Sequence, residues 1–482
     1  MPDNNRKFNF NLALGLNLLD SPEVVQDGAL VDSLNFEASS RPGSLVRRPG
    51  FSTVWEVAPS AAGGIYGVYK HYSQDLDHCW LAVRSNELWK NNKTFTSAAF
   101  LSTLSVANAY MAFASFDDSA YMVNGTDKLK LIQCSTLRVM GNRPPSTFTY
   151  SQVAGGSIPA GMYKYRGRYV YEQNFGKSNP GNSTLVNIVG APRNISCFGA
   201  GLPAPWPGVS AVSIERSTQL TASTMTPRNY FQVGVYNLGG SVLDSLSDYA
   251  LQGNISPSIE IVNDLPPNLK YLQNYFYRMF GAGDSSKPSR LYWSRFQRPD
   301  CWNQAGTLGT FYTNTEPGFS DDVYRDDGAP ITGILALERE LLVWSETKLY
   351  TLSGRSPAKW TLEKIADTGC IAPRTIVSVD EGVFWLGKGH VYWYAGGSSR
   401  IVSWNIDAII RNALGDATFA EACAGYDRKQ NWYWLSLPVP TVQQVIFPSG
   451  GGGINSTGHI APPQSPGDRV LTITGFSALA VQ

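Results

Sequence analysis

The residues best equipped for chemistry in this 482-residue chain are three pairs of adjacent carboxylates, four histidines and six cysteines. Asp117-Asp118, Asp321-Asp322 and Asp326-Asp327 would suit acid–base hydrolysis of a glycoside if two of them faced each other across a pocket. Each pair adjoins turn residues, and the plainer reading is a solvated turn. His71, His78, His390 and His459 lack the HxxxH spacing of a zinc site. Cys79, Cys134, Cys197, Cys301, Cys370 and Cys423 are far apart and include no CxxC pair, so they read as free thiols in a reducing compartment. GxSxG, the phosphate-binding loop, HExxH and the repeated aspartate-box turns of sialidases are all missing. Gly450 to Gly453 reads as a linker, because no strand leads into it and no helix follows. Trp393 and Trp404 offer faces for stacking on sugar rings, against the plainer reading that they fill gaps between layers of strands. No catalytic residue, cofactor or metal is expected.

Composition narrows the class. The net charge of +1 makes no general case for nucleic-acid or anionic-membrane binding, though it leaves room for a charged local surface. Apolar residues make up 43% and aromatics 12%, which favours packed sheets over disorder. No apolar run of 18 residues occurs and the start shows no signal peptide, so a soluble chain is expected.

One small unit recurs, and it must position whatever site exists. Leu341-Leu342-Val343-Trp344 and Leu349-Tyr350-Thr351-Leu352 flank a four-residue polar break. Val383-Phe384-Trp385-Leu386 and Val391-Tyr392-Trp393-Tyr394 repeat that form. Such runs around a turn-rich break are β-hairpins. Further copies fall at Cys79–Val83 with Glu87–Trp89, at Ala120–Val123 with Lys128–Ile132, at Tyr275–Met279 with Leu291–Ser294, and at the pair of runs around Arg428. Turn centres lie near 85, 125, 285, 346, 388 and 429, and the gaps from 85 to 125, from 346 to 388 and from 388 to 429 are 40, 42 and 41 residues. A strand repeat of about 40 residues is the spacing of β-propeller blades.

The expected fold is therefore all-β: a propeller of about six blades, interrupted by an inserted β-sandwich. Residues 1–58 form an N-terminal extended segment, 59–145 and 263–437 the two parts of the propeller, and 438–482 a Pro/Gly-rich arm. The 146–262 interval breaks the period and carries its own strands, notably Gly161–Tyr171, Val209–Ser217 and Tyr230–Tyr236. Tyr163 and Tyr169 are expected to pack inside it. Asn405–Leu414 is the best helix, with Asn405 as its cap.

Several segments resemble those of short-tailed phage tail proteins, namely tail nozzle (tail tubular) and packaged-DNA stabilisation proteins. These are Asp327–Ile334, the runs at 341–344 and 349–354, Gly369–Ala372, Val383–Ile410 and Leu291–Ser294 with Pro299, Asp300 and Trp302. The opening Asn35, Gly43-Ser44-Leu45 and Arg48-Pro49 is similar too, and the 146–262 insert looks like a fibronectin type III-like module. The resemblance implies a homo-oligomeric ring, usually of six copies, in the virion tail and assembled in the host cytoplasm. It would sit below the portal or adaptor, continue the DNA channel without reading sequence, retain packaged DNA, and anchor fibres, spikes or a needle. Arg47, Arg48 and Pro49, together with Val470 and Ile473 of the C-terminal arm, are the candidate assembly contacts, the arm being expected to lie on a neighbouring copy, with closure of the first blade within its own chain as the alternative. The competing reading is a carbohydrate-binding or carbohydrate-cleaving propeller.

Overall fold

A computed structural model describes residues 36–38, 45–47, 64–73, 78–96, 98–145, 149–171, 177–198, 209–254, 263–304, 318–320, 323, 328–407, 410–411, 419–428, 432–437, 443–447, 469–473 and 477–481. The chain divides into two compact units. One comprises residues 54–336 with 353–361, the other residues 1–53, 337–352 and 362–482.

In the first unit, Ile65–Tyr72, His78–Arg84, Glu87–Asn91 and Ala98–Thr103 form one antiparallel sheet in chain order. Ala112–Phe116, Ser119–Val123, Lys128–Ile132 and Thr136–Val139 form the next, also in chain order. A third runs Tyr271–Tyr275, Arg278–Ala282, Leu291–Trp293 and Gly318–Ser320. Consecutive strands pair because short turns leave no room for a crossover. The Asn124-Gly125 turn shows how: Gly125 has φ of 92°, a conformation that a Cβ would disfavour. Asn124 Oδ1 accepts the amides of Thr126 and Asp127 at 3.0 and 2.7 Å.

Alternate side chains of the first two sheets meet in one apolar core. Cys79, Leu81, Val83 and Leu88 come from one side, and Ala120, Met122 and Leu131 from the other. The second and third sheets share another, built on Tyr121, Val123, Leu272, Met279, Tyr292 and Trp302. This joint also buries an ion pair. Lys130 Nζ lies 2.6 Å from Asp300 Oδ2, and Asp300 Oδ1 accepts the Gly141 amide at 3.0 Å.

The third sheet corrects one expected hairpin. Tyr275–Met279 is not a strand but spans a two-residue turn at Phe276-Tyr277, both with positive φ (41° and 57°). Neither residue is a usual former of such a turn, so the signal is absent from the sequence. The cysteine reading needs correction as well. Cys79 and Cys134 are joined in a disulfide, with Cα atoms 5.9 Å apart, while Cys197, Cys301, Cys370 and Cys423 form no disulfide. Packing of the first two sheets against each other brings together two residues 55 apart in sequence, a meeting that no spacing rule reveals.

Between the second and third sheets, seven strands form two sheets facing one core. Thr149–Ile158, Arg193–Phe198 and Ser241–Asp244 neighbour in that order. Opposite them lie Thr184–Ile188, Gly161–Tyr171, Val209–Ser217 and Tyr230–Asn237. Tyr163, Tyr165, Tyr169 and Ile214 pack in the core with Ile195 and Val242. The first two strands lie in opposite sheets, whereas in immunoglobulin constant-type order they are neighbours in one. Asn179 Nδ2 donates to Asp264 Oδ1 at 2.6 Å and Tyr171 Oη to the Arg143 carbonyl at 3.0 Å, tying these strands to the chain that leads in and out.

In the second unit, Glu340–Trp344, Leu349–Ser353 and Thr361–Ala366 are successive neighbours, as are Val377–Val379, Gly382–Leu386, Val391–Tyr394 and Arg400–Ile401. The Trp344 and Trp385 rings meet edge to face at 5.6 Å, and Trp385 Nε1 donates to the Gly369 carbonyl at 3.0 Å. Gly369 is required at this joint, because a Cβ there would stand 2.2 Å from the Glu346 carbonyl carbon. A last sheet sets Cys423–Asp427 beside Trp432–Leu437, and Ser477–Val481 on the far side of that strand.

Candidate functional site

Among the described residues the richest constellation lies in the second unit, where the turn after Gly382–Leu386 meets the chain after Arg400–Ile401. The turn at Gly387–His390 closes with the Gly387 amide donating to the His390 carbonyl at 3.0 Å. A 3-10 turn, Trp404–Ile406, then carries the chain into Asp407. Spacing of four sets Ser403, Asp407 and Arg411 on one side of this helical stretch. Ser403 Oγ donates to Asp407 Oδ1 at 2.7 Å and accepts the Val391 amide at 2.8 Å. Asp407 Oδ2 lies 2.7 Å from His390 Nδ1, and Arg411 Nη2 stands 3.3 Å from His390 Nε2. The Trp404 ring lies 5.5 Å from the imidazole and Tyr392 6.0 Å from it.

An aspartate beside a histidine is half of a hydrolytic triad. The arrangement differs where it matters. The serine hydroxyl donates to the carboxylate, and the imidazole nitrogen that would take a nucleophile's proton faces a guanidinium. The cluster can fix an imidazole and hold Trp404, which is 54% exposed, but it places no nucleophile against a base. Among the described residues no three His, Cys, Asp or Glu side chains gather as a metal site would require. A depression of about 640 Å³ beside Gly161, Met162, Asn187, Gln219, Leu220 and Thr221 has no titratable side chain in its lining.

The sequence candidates separate. Asp117-Asp118 forms the tight turn between Ala112–Phe116 and Ser119–Val123, where Asp118 Oδ1 accepts Ser73 Oγ at 2.7 Å. The pairs at 321–322 and 326–327 lie outside the described residues. The Arg400 guanidinium covers one face of Trp393 at 4.2 Å and that residue is half-buried, whereas Trp404 is exposed. Arg47 ends the strand Leu45–Arg47, opposite Phe36, while Arg48 and Pro49 lie outside the described residues. Val470 pairs with Ile446 and Ile473 with Gln443, within the same chain. No described pairing joins the strand of Arg47 to that of Val470 and Ile473. Ser477–Val481, the last strand of the arm, pairs in its own chain with Trp432–Leu437 and so satisfies part of its backbone there. Asn405 does not cap a helix: it lies inside the 3-10 turn, whose cap position is Ser403. The His390–Asp407 pair went unread. The recurrence of Ser403, Asp407 and Arg411 at intervals of four was its one visible signal.

No protein-family model and no curated protein matches the chain. Among solved structures it is similar to apo AztD from Citrobacter koseri, at 8% identity over 69% of this chain and 84% of that one, with a TM-score of 0.24. It is similar to YCF48 from Cyanidioschyzon merolae at 9% identity, over 78% and 95% of the two chains, with a TM-score of 0.26. For BBS1N, solved in complex with ARL6DN, the figures are 10%, 80%, 94% and 0.28. Likeness at this level carries no argument about what the chain does.

Proposed function

We propose that the chain is a structural protein of a short-tailed phage tail, a propeller-based nozzle or hub that forms a ring around the DNA path. One observation carries the reading. The segments that resemble those tail proteins are the chain's repeated sheet strands and the joints between them. Leu341–Trp344 and Leu349–Ser353 are paired neighbours, Gly369–Ala372 is the joint beneath Trp385, and Leu291–Trp293 is the third strand of its sheet. Among the described residues, six sheets of three or four strands lie outside the 146–262 interval, in keeping with about six blades. The sandwich between residues 149 and 244 would be the inserted decoration module. Its strand number suits a fibronectin type III-like domain, while its strand order departs from the immunoglobulin constant pattern. A propeller used this way needs no catalytic centre: its work is done by contact surface. In a ring those contacts would be head-to-tail, the same two patches repeated around a closed circle.

The test is negative-stain imaging of the purified protein mixed with the portal and adaptor of the phage that encodes it. Rings stacked on the connector are expected. Particles that stay monomeric and never join a connector would overturn the reading.

A second reading, a carbohydrate-binding propeller, has one observation in its favour: the exposed Trp404 ring beside His390 and Arg411. Saturable binding of host-surface polysaccharide that is lost in Trp404→Ala, without loss of folding, would support it over the first.

A further inference from the structure

The first two sheets of the first unit are held together in two independent ways at one point. Cys79 lies in the strand His78–Arg84 with its side chain in the shared apolar core, only 2% exposed. Cys134 sits in the turn between Lys128–Ile132 and Thr136–Val139, and is half-buried. The disulfide joins them. Beside it, Lys90 Nζ, from the first sheet, donates to the Cys134 carbonyl at 2.7 Å. The turn itself is unfavourable: Gln133 and Cys134 both have positive φ, 48° and 49°, without a glycine. Nothing in the local sequence prefers that conformation; bonds within its own sheet, from the Gln133 amide to the Asp118 carbonyl and from the Ser135 amide to the Ile132 carbonyl, hold it together with the contacts from the neighbouring sheet.

We propose that Cys79–Cys134 is a redox-dependent staple of the finished protein, formed once the chain meets a disulfide oxidant and thereafter shielded from reduction by the fold. Formation is a two-electron exchange. A thiolate of the pair attacks oxidised glutathione, or another small disulfide, and expels one thiolate. The second cysteine then displaces the other, giving the protein disulfide and two small thiols. Reduction in the folded state must start at Cys134, the reachable sulfur, and expel Cys79 as a thiolate into a core of Leu81, Val83 and Met122. A charge released there is poorly solvated, so the step is slow. Two of the other cysteines, Cys197 and Cys370, do not compete. Burial pushes the Cys197 thiol up to about 12, with Asp244 adding to the rise, and burial likewise pushes Cys370 up to about 12. Neither supplies an attacking thiolate at neutral pH. Cytosolic proteins seldom keep such bonds, so the staple places the working form of the chain outside a reducing cytosol. This inference does not rest on the tail-protein reading, and either can fail without the other.

The test counts thiols in the wild-type protein after incubation with oxidised glutathione. In denaturant without reductant, four of the six cysteines should react with a thiol reagent, and a peptide map should show residue 79 linked to residue 134. After dithiothreitol in denaturant all six should react. Under native conditions the same dithiothreitol should open the bond at least ~10-fold more slowly. Six reactive thiols before reduction, or native reduction as fast as denatured, would overturn the proposal. A second measurement uses melting temperature. Reduced wild type should melt roughly 5 °C below oxidised wild type. Cys79→Ala/Cys134→Ala should melt near the reduced value and ignore dithiothreitol. Equal melting of oxidised and reduced wild type would also count against the staple.

Discussion

The sandwich between residues 149 and 244 and the repeated sheets of the second unit solve the same burial problem with different chemistry. In the sandwich, charge goes inside. Arg216 is fully buried, its Nε 2.8 Å from Asp244 Oδ2 and its Nη1 2.6 Å from Asp248 Oδ1. Tyr165 Oη donates to the same Asp244 carboxylate at 2.7 Å, and burial first, then that carboxylate, drives the phenol's pKa far up. On the other face of the sheet, Glu215 takes Arg166 and Arg168 at 2.7 and 3.0 Å. In the second unit the joints are aromatic and aliphatic, with Trp344 against Trp385, and with Leu386, Val391 and Tyr433 in one cluster. Apolar joints tolerate approximate fit, whereas buried ion pairs are intolerant of losing one partner.

The largest expected effects set the two regions side by side. Arg216→Ala would leave Asp244 buried without its cation and cost about 3–5 kcal/mol. Trp385→Ala would open a cavity and orphan the Gly369 carbonyl, also costing about 3–5 kcal/mol. Denaturant titration measures both. The distinction lies in the second substitution. Arg216→Met combined with Asp244→Leu should recover part of the loss, because the buried Asp244 charge leaves with its cation, while Asp248 and the Tyr165 hydroxyl each lose a partner. No single added substitution beside Trp385→Ala should do so. If the double variant is as unstable as Arg216→Ala, the charged core is not the source of the cost.

Gly369→Ala comes next. Its Cβ would meet backbone rather than a movable side chain, so the joint must shift, at about 1–3 kcal/mol. Melting of the variant checks this, and an unchanged melting temperature would mean the joint is looser than drawn.

The smallest effect is a pH dependence. His71 is fully buried, with Nδ1 2.8 Å from Ser115 Oγ. Burial holds its pKa below the ordinary 6.5, and Asp118 only partly offsets this. Above about pH 6.5 the imidazole is neutral folded or unfolded and contributes nothing. Below that, the unfolded chain takes up a proton that the folded one refuses. Stability should therefore fall by at most ~1.4 kcal/mol per pH unit until the folded imidazole itself titrates. His71→Gln should flatten that part of the stability–pH curve.

The hairpins near 85, 125, 346, 388 and 429 were legible because β-branched and aromatic runs flank Gly, Asn or Ser in each break. The Phe276-Tyr277 turn was not, since a left-handed pair of aromatics carries no turn signal and only its neighbours impose it. The long sandwich strands were visible from alternation in Gly161–Tyr171, but the partners of Arg216 were not. Asp244 and Asp248 lie about 30 residues away and meet it only through the packing of the two facing sheets and the helix that follows. The Cys79–Cys134 bond and the His390–Asp407 pair were hidden for the same reason: tertiary contact, rather than local pattern, brings them together.

The most direct measurement of the central claim is a cryo-electron microscopy map of the protein mixed with the portal and adaptor of the phage proposed to encode it. The account predicts a closed ring of copies around an open channel. Each copy should show a propeller of about six blades interrupted by the sandwich of residues 149–244. A map in which the chain is absent from the connector, or bound as an isolated single copy, would contradict it.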